Sequence, residues 1–239
     1  DLAAGTMGAD VITTTSADET ISGLAGDDSI TGSQGSDVMT GGEGADQFVF
    51  VKGQGSITDI DTIADFVKGT DTIVIQGQNI TGVTVSSGAT SGTTTTYQIN
   101  VQYSDAVADV FTVVLQNGGT LNDAGKDQTN GVVISGGTAT IDGIIVGATL
   151  YLDLNQNSRE DVGERIGVTD QKGQVEWVVD LNLLDVNKDG QYTVGEARAV
   201  QTGGYDIDTR LSYEINLYAP VGASVVSPLT SLLQAQLEQ

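Results

Sequence analysis

Cysteine and histidine are absent from this 239-residue chain, proline occurs twice, and nine Lys and Arg face 32 Asp and Glu, for a net charge of -23. Each shortage excludes something. Without Cys there are no disulfides, no thiolate metal sites and no cysteine nucleophile. A secreted domain built this way needs another clamp. Without His the chain lacks the commonest general base and the commonest zinc ligand. Oxygen donors remain, and they suit calcium or magnesium. The acid excess provides no basic patch for nucleic acid or an anionic membrane surface. No apolar run approaches the ~20 residues of a membrane helix, so membrane insertion is not expected. Residue 1 is Asp and no leader-like segment opens the chain, so the sequence is expected to be part of a longer protein.

What is present points to β structure. Thirty-two Gly, with abundant Thr, Ser and Val, read as short strands and many turns. A chain this acidic repels itself when compact unless cations neutralise it.

An internal repeat opens the sequence. Residues 5–49 divide without a gap into five nonads: GTMGADVIT, TTSADETIS, GLAGDDSIT, GSQGSDVMT and GGEGADQFV. The first position is Gly5, Thr14, Gly23, Gly32 and Gly41; the fourth is Gly8, Ala17, Gly26, Gly35 and Gly44. The sixth is Asp10, Glu19, Asp28, Asp37 and Asp46; the eighth is Ile12, Ile21, Ile30, Met39 and Phe48. Glycine at positions one and four lets the backbone turn tightly and present carbonyls inward. The acid at six supplies a hard anionic oxygen, and the apolar eighth residue points into a core. Two nonads make one coil of a parallel β-roll, so turns i and i+2 stack on one side with room for a cation between them.

These residues resemble the RTX, or haemolysin-type calcium-binding, repeat family, whose pattern is G-G-x-G-x-D-x-U-x. The resemblance implies Ca2+ as cofactor, with Asp10, Asp28 and Asp46 serving one edge and Asp37 the other. Gly8, Gly26 and Gly44 stand at the matching backbone positions. The second nonad departs from the pattern, with Thr14, Ala17 and Glu19; Asp18 or Glu19 can still contribute there. After the repeats, Asp65, Phe66, Gly69 and Asp71 match the family's D-F-x-x-G-x-D turn. Phe48, Phe50, Ile63, Phe66 and Ile73 are expected to close the roll. Asp65 and Asp71, like Asp59 and Asp61, are either further ligands or turn-capping residues.

Further strands are expected at Thr72–Gln76, Gly82–Val85, Thr94–Tyr103 and Asp109–Gln116. Residues 117–130 are polar and Gly-rich and read as a linker. Alternating residues from 131 onward suggest an immunoglobulin-like sandwich with Trp177 and Tyr213 in its core. A C-terminal helix is expected, with Ser227 as cap, Pro228 as its first residue and Leu229, Leu232, Leu233 and Leu237 on one face. The expected fold is thus all-β: a β-roll with its cap over residues 1–76, a β extension and linker over 77–130, and an Ig-like calcium-binding module with a short terminal helix over 131–239.

Two acidic loops lie in the last segment. Asp185, Asn187, Asp189, Gly190, Gln191 and Glu196 fit D-x-[DN]-x-[DN]-G-x5-E in full. Side-chain oxygens would come from Asp185, Asn187 and Asp189, a carbonyl from Gln191, and a bidentate carboxylate from Glu196. The loop resembles EF-hand or dockerin calcium loops, although the flanking helices of an EF-hand are not evident. The second set is Asp153, Asn155, Asn157, Arg159, Asp161 and Glu164, with Ser158 in the glycine position. It resembles calcium loops of Ig-like repeats in bacterial surface proteins.

No H-E-x-x-H or G-x-S-x-G motif is present. The acids cluster in calcium loops rather than in a glycosidase-like pair. The expected function is therefore non-catalytic: a secreted, extracellular structural or cell-surface segment of adhesin, S-layer or matrix type, which Ca2+ folds and stiffens after export. Its partners would be several calcium ions, and either further copies of itself or a cell-surface or matrix component. The alternative is the non-catalytic, calcium-binding part of a larger secreted protease or lipase.

Overall fold

The computed structural model describes residues 2–121, 131–140, 144–228 and 230–231, with residues 137–140 described by their backbone. The nonads form strands in strict alternation. These are β1 (Leu2–Ala4), β2 (Val11–Thr13), β3 (Thr20–Ala25), β4 (Ser29–Thr31), β5 (Val38–Glu43) and β6 (Gln47–Val51). Two more follow, β7 (Ile60–Ile63) and β8 (Thr72–Gln76). Odd strands stack in parallel on one wall and even strands on the other. Within the repeats the register advances by two nonads: Thr20 pairs with Val38, and Ser29 with Gln47. This is the coil period that two nine-residue units dictate.

The core follows from the eighth position. Ile21, Ile30, Met39 and Phe48 are fully buried, and Ile63 and Ile73 continue the two columns beyond the repeats. Ile12, at the first coil, is half-buried. Burying each large apolar side chain stabilises by about 1.5–3 kcal/mol. Phe66 packs tilted on Phe48 with ring centroids 6.3 Å apart, as expected of the closing turn.

The roll does not stop at that turn. The chain next forms β9 (Ile80–Ser91), β10 (Thr94–Tyr103) and β11 (Asp109–Leu115), an antiparallel meander. Its last strand, β11, lies parallel to β7 and extends the odd wall. Then β12 (Val132–Thr140) lies parallel to β8 and extends the even wall. The sheet thus crosses the boundary expected at residue 130. Most of the expected linker, residues 122–130, lies outside the described residues.

The remaining strands are β13 (Ile145–Val146), β14 (Thr149–Asp153), β15 (Arg165–Val168) and β16 (Gln174–Asp180), then a one-turn helix, α1 (Leu181–Leu184). They are followed by β17 (Gln191–Thr193), β18 (Arg198–Thr202), β19 (Tyr205–Asp206), β20 (Leu217–Pro220) and β21 (Val225–Val226). Strands β15, β14, β18 and β20 make an antiparallel sheet of their own, and β13 pairs with β19. In contrast, β16 joins the even wall through β12, and β17 pairs with β9 at the far end of the odd wall. These pairings do not confirm a self-contained Ig-like sandwich, because strands of this segment are shared out to the walls of the roll. Trp177 is buried and Tyr213 is partly buried against the core. The expected terminal helix begins at Pro228, where the Ser231 amide donates to the Ser227 carbonyl at 3.0 Å. Leu229, Leu232, Leu233 and Leu237 lie outside the described residues.

One residue sits against its own stereochemistry. Leu24 takes φ 82° at the second position of its nonad, where the fifth nonad has Gly42 at φ 109°. A left-handed conformation costs an L-residue ~1–2 kcal/mol, and the Leu24 side chain is exposed. Leu24→Gly should therefore stabilise the calcium-loaded fold by about 1 kcal/mol, seen as a higher thermal midpoint. A lower midpoint would mean that the exposed leucine makes a contact worth more than the strain.

Candidate metal centres

The acids at the sixth position form two ladders, one along each edge of the roll. On the first edge the Asp10 amide donates to Asp28 Oδ1 at 2.8 Å, the Asp28 amide to Asp46 Oδ1 at 2.9 Å, and the Asp46 amide to Asp71 Oδ1 at 3.1 Å. On the second edge the Glu19 amide donates to Asp37 Oδ1 at 2.9 Å, and the Asp37 amide to Asp61 Oδ1 at 3.0 Å. One oxygen of each carboxylate thus ties a coil to its predecessor. The nonad period and the parallel register together put these acids in line.

The other oxygen is what matters for function. Asp28 is 1% exposed, Asp37 0% and Asp46 1%, and the Oδ2 atom of each is buried without a hydrogen-bond partner. Buried carboxylates almost always find a partner, and an ionised one left unpaired costs several kcal/mol. That is as much as one or two core side chains contribute. A hard cation with irregular, multi-oxygen coordination fits this donor set, which is the chemistry of calcium. Among the described residues no three acidic side chains form a ready-made cage. Backbone oxygens of the glycine turns would therefore have to supply the rest of the coordination. Gly44, at φ 141°, brings its turn so close that an added Cβ would lie 2.1 Å from the Gly26 carbonyl oxygen. Gly8 is exposed, with nothing within 4 Å of the corresponding point.

Asp10, Asp65 and Asp71 are placed differently. Asp10 Oδ2 is occupied by the Thr6 amide at 2.6 Å and the Thr6 hydroxyl at 2.9 Å. Asp65 takes the Gly41 and Gly42 amides, one on each oxygen. Asp71 takes the Val67 amide on Oδ2 beside the Asp46 amide on Oδ1. These three close turns at the ends of the ladders. Asp61 and Glu19, by contrast, belong in line with Asp37.

The two loops downstream share one backbone design. Asp185 is fully buried; its Oδ1 accepts the Asp189 amide at 3.1 Å and its Oδ2 the Gly190 amide at 2.9 Å. Asn187 Oδ1 accepts the Asp189 amide, Asp189 Oδ1 the Gln191 amide, and Glu196 Oε1 the Thr193 amide. Asp153, also fully buried, repeats this, with Oδ1 on the Asn157 amide and Oδ2 on the Ser158 amide, both at 2.9 Å. Asn155 Oδ1 takes the Asn157 amide and Asn157 Oδ1 the Arg159 amide. Glu164 closes this loop on the Leu154 and Asp161 amides. Asp161 Oδ2 meanwhile takes the side-chain amides of Asn155 and Asn157. The one-turn helix α1, capped by Asp180, leads into the 185–196 loop.

One partner was not visible in the spacing. Arg198, on β18, reaches Asp153 Oδ2 through Nε at 2.9 Å and Nη2 at 2.7 Å, and stacks on Tyr218. The 153–164 loop therefore already has a cation at its most deeply buried carboxylate. The 185–196 loop carries Lys188 within it, turned away onto Asn182.

Residues 13–48 match the family model for the RTX calcium-binding nonapeptide repeat, in four copies. RTX nonapeptide repeats bind Ca2+ and are not catalytic in themselves, and proteins that carry them are typically secreted. No helix among the described residues is long and apolar enough to cross a membrane. No curated protein matches the chain. Among solved structures the chain is similar to the solution structure of the AlgE6R3 subunit from the Azotobacter vinelandii mannuronan C5-epimerase. Identity is 28% over 48% of this chain and 71% of that one, with a TM-score of 0.33. At that score the fold rests on the strand pairing alone.

Two outcomes follow from this geometry. An added Cβ on Gly41 would lie 2.1 Å from Asp46 Oδ2, whereas one on Gly8 meets nothing. Gly41→Ala should raise the calcium midpoint of folding roughly tenfold or more, while Gly8→Ala leaves it within twofold; equal effects would contradict the seat at Asp46. The second outcome concerns protons. In the metal-free fold, burial pushes the Asp37 carboxyl up to about 6 and the Asp61 carboxyl up to about 7, against 3.8 for the free side chain. A raised folded-state value means that the folded form binds more protons, so the stability these groups contribute is present below about pH 4 and is lost as pH rises through 6 to 7. Metal-free protein should therefore hold less folded structure at pH 7.5 than at pH 5. Saturating calcium should reverse the sign, because its ligands must be deprotonated. Thermal melts across this range, with and without calcium, give the two slopes.

Proposed function

We propose that this chain is a calcium-folded structural segment of an exported protein, of the adhesin, S-layer or extracellular-matrix type, in which Ca2+ drives folding after export and then stiffens the fold. The observation that carries the reading is the stack of buried carboxylates, Asp28, Asp37 and Asp46, each with one oxygen lacking any partner. Without a cation, these groups oppose the core that the same coils build. With one, they link each coil to the next.

The arrangement downstream supports stiffening over catalysis. The calcium-type loop 185–196 contains β17, which is hydrogen-bonded to β9 of the odd wall. Tyr192, in that strand, is fully buried, and its hydroxyl donates to the Val221 carbonyl. An ion in this loop would hold the last part of the chain to the roll. Asp185, Asn187, Asp189, Gln191 and Glu196 are its ligands in this reading; Asp153, Asn155, Asn157, Arg159, Asp161 and Glu164 form the second, charge-compensated set. The partners would be calcium ions together with either further copies of the chain or a surface or matrix component.

Each site saturated at 100 times its dissociation constant adds about 2.7 kcal/mol to the folded state. Several sites then decide whether the roll exists. Titrating metal-free protein with calcium while following far-ultraviolet circular dichroism should show a cooperative gain of β signal, reversed by chelation. Pulling single molecules should show a higher unfolding force in calcium. Full β signal and unchanged force in chelator would refute the reading.

A further inference from the structure

The two acidic loops downstream of the roll share a backbone, yet their buried aspartates meet different donors. Four N–H groups donate to Asp153: the Asn157 amide to Oδ1, and the Ser158 amide together with Nε and Nη2 of Arg198 to Oδ2, at 2.7–2.9 Å. That is about as many as the lone pairs of a carboxylate accept. Asp185 takes two, both from main-chain amides of its own loop. Among the described residues no Lys or Arg pairs with Asp185, Asp189 or Glu196, and Lys188 turns to Asn182.

The sheet puts the arginine in place. Asp153 on β14 and Arg198 on β18 are direct cross-strand partners, and both are buried. The guanidinium stacks on Tyr218 of β20, 4.9 Å from the ring centroid, a contact that gains strength away from water. Ser158 completes the seat. Its hydroxyl accepts Arg198 Nη2 at 2.9 Å and the Tyr218 hydroxyl at 3.3 Å. Ser158 stands where the other loop has Gly190, and both are left-handed, at φ 59° and 86°. Glycine takes that conformation freely and serine does not. The residue that departs from the calcium-loop pattern is thus the one whose hydroxyl holds the arginine.

A calcium ion brought to Asp153 has to share its oxygens with a guanidinium at hydrogen-bond distance, or displace that guanidinium from a buried pair. The first sets like charges against each other where water screens poorly. The second leaves a buried charge without its partner.

We propose that Arg198 is the resident cation of the 153–164 loop and the residue that decides its metal preference: the loop keeps its shape without calcium and takes no ion under conditions in which the 185–196 loop takes one. This rests on the calcium reading of the 185–196 loop and narrows it, since only one of the two loops then depends on the metal. The test is ion counting by native mass spectrometry on the full chain in calcium. Asp153→Asn should carry as many ions as the unmodified protein. Arg198→Met, which keeps the length and removes the charge, should carry one more, held by the freed Asp153. Asp185→Asn should carry one fewer. An ion lost in Asp153→Asn, or none gained in folded Arg198→Met, would overturn the proposal. An unchanged count in Asp185→Asn would instead remove the wider reading of the 185–196 loop, and the other two variants still decide the role of Arg198. The unmodified protein gives a check that needs no variant. Calcium anomalous scattering from its crystals should place an ion in the 185–196 loop and none in the 153–164 loop; an ion beside Asp153 would overturn the proposal.

Discussion

Burying like charges in a row is the constraint around which this molecule is organised. A parallel β-roll has to turn twice per coil, and every turn here places a carboxylate against the carboxylates of the coils before and after it. Main-chain amides satisfy one oxygen of each: Asp28 by Asp10, Asp46 by Asp28, Asp37 by Glu19. The second oxygens of Asp28, Asp37, Asp46 and Glu19 remain, buried and unmatched. The apolar columns through Ile21, Met39 and Ile63, and through Ile30, Phe48 and Ile73, supply the opposing drive. A domain's net stability is a small difference between large terms, so four such carboxylates weigh on the balance. In the proposed reading, calcium removes the penalty and leaves the core.

The rest of the chain builds on this roll rather than standing beside it. Both walls continue past the repeats, one through β11 and the other through β12, so the hydrophobic core of the nonads merges with that of the later strands. The 185–196 loop returns to the odd wall through β17. Its sibling at 153–164 has Asp153 paired with Arg198 in a buried contact, and breaking such a pair costs more than forming it gains. The two loops share a backbone but differ in what neutralises them. Asp153 carries an arginine, whereas both oxygens of Asp185 accept main-chain amides of their own loop.

Much of this was legible in the sequence, where period and chemistry coincide. Nine-residue spacing fixed the alternation of walls, and the eighth position named Ile21, Ile30, Met39 and Phe48 as core. Strand limits such as Thr72–Gln76 and Thr94–Tyr103 followed from β-branched runs between Gly and Ser turns. Local pattern could not reveal long-range pairing. Nothing near residue 132 says that β12 lies against β8, some 60 positions earlier, and so the segment read as a separate sandwich. The same holds for the site. The acids of the nonads were visible because they repeat; Asp61 was legible only as either a ligand or a turn cap, and Arg198 not at all, because each reaches its partner through the fold. Asp10 shows the converse: it stands at the sixth position of its nonad like Asp28 and Asp46, yet Thr6, at the nonad's second position, occupies the oxygen that those two leave open.

A crystal structure grown in calcium, with anomalous scattering used to place the ions, tests the central claim most directly. The account predicts ions within coordination distance of Asp28 Oδ2, Asp37 Oδ2 and Asp46 Oδ2, with backbone carbonyls completing their shells. Those oxygens contacting water or protein donors, with no ion beside them in saturating calcium, would contradict it.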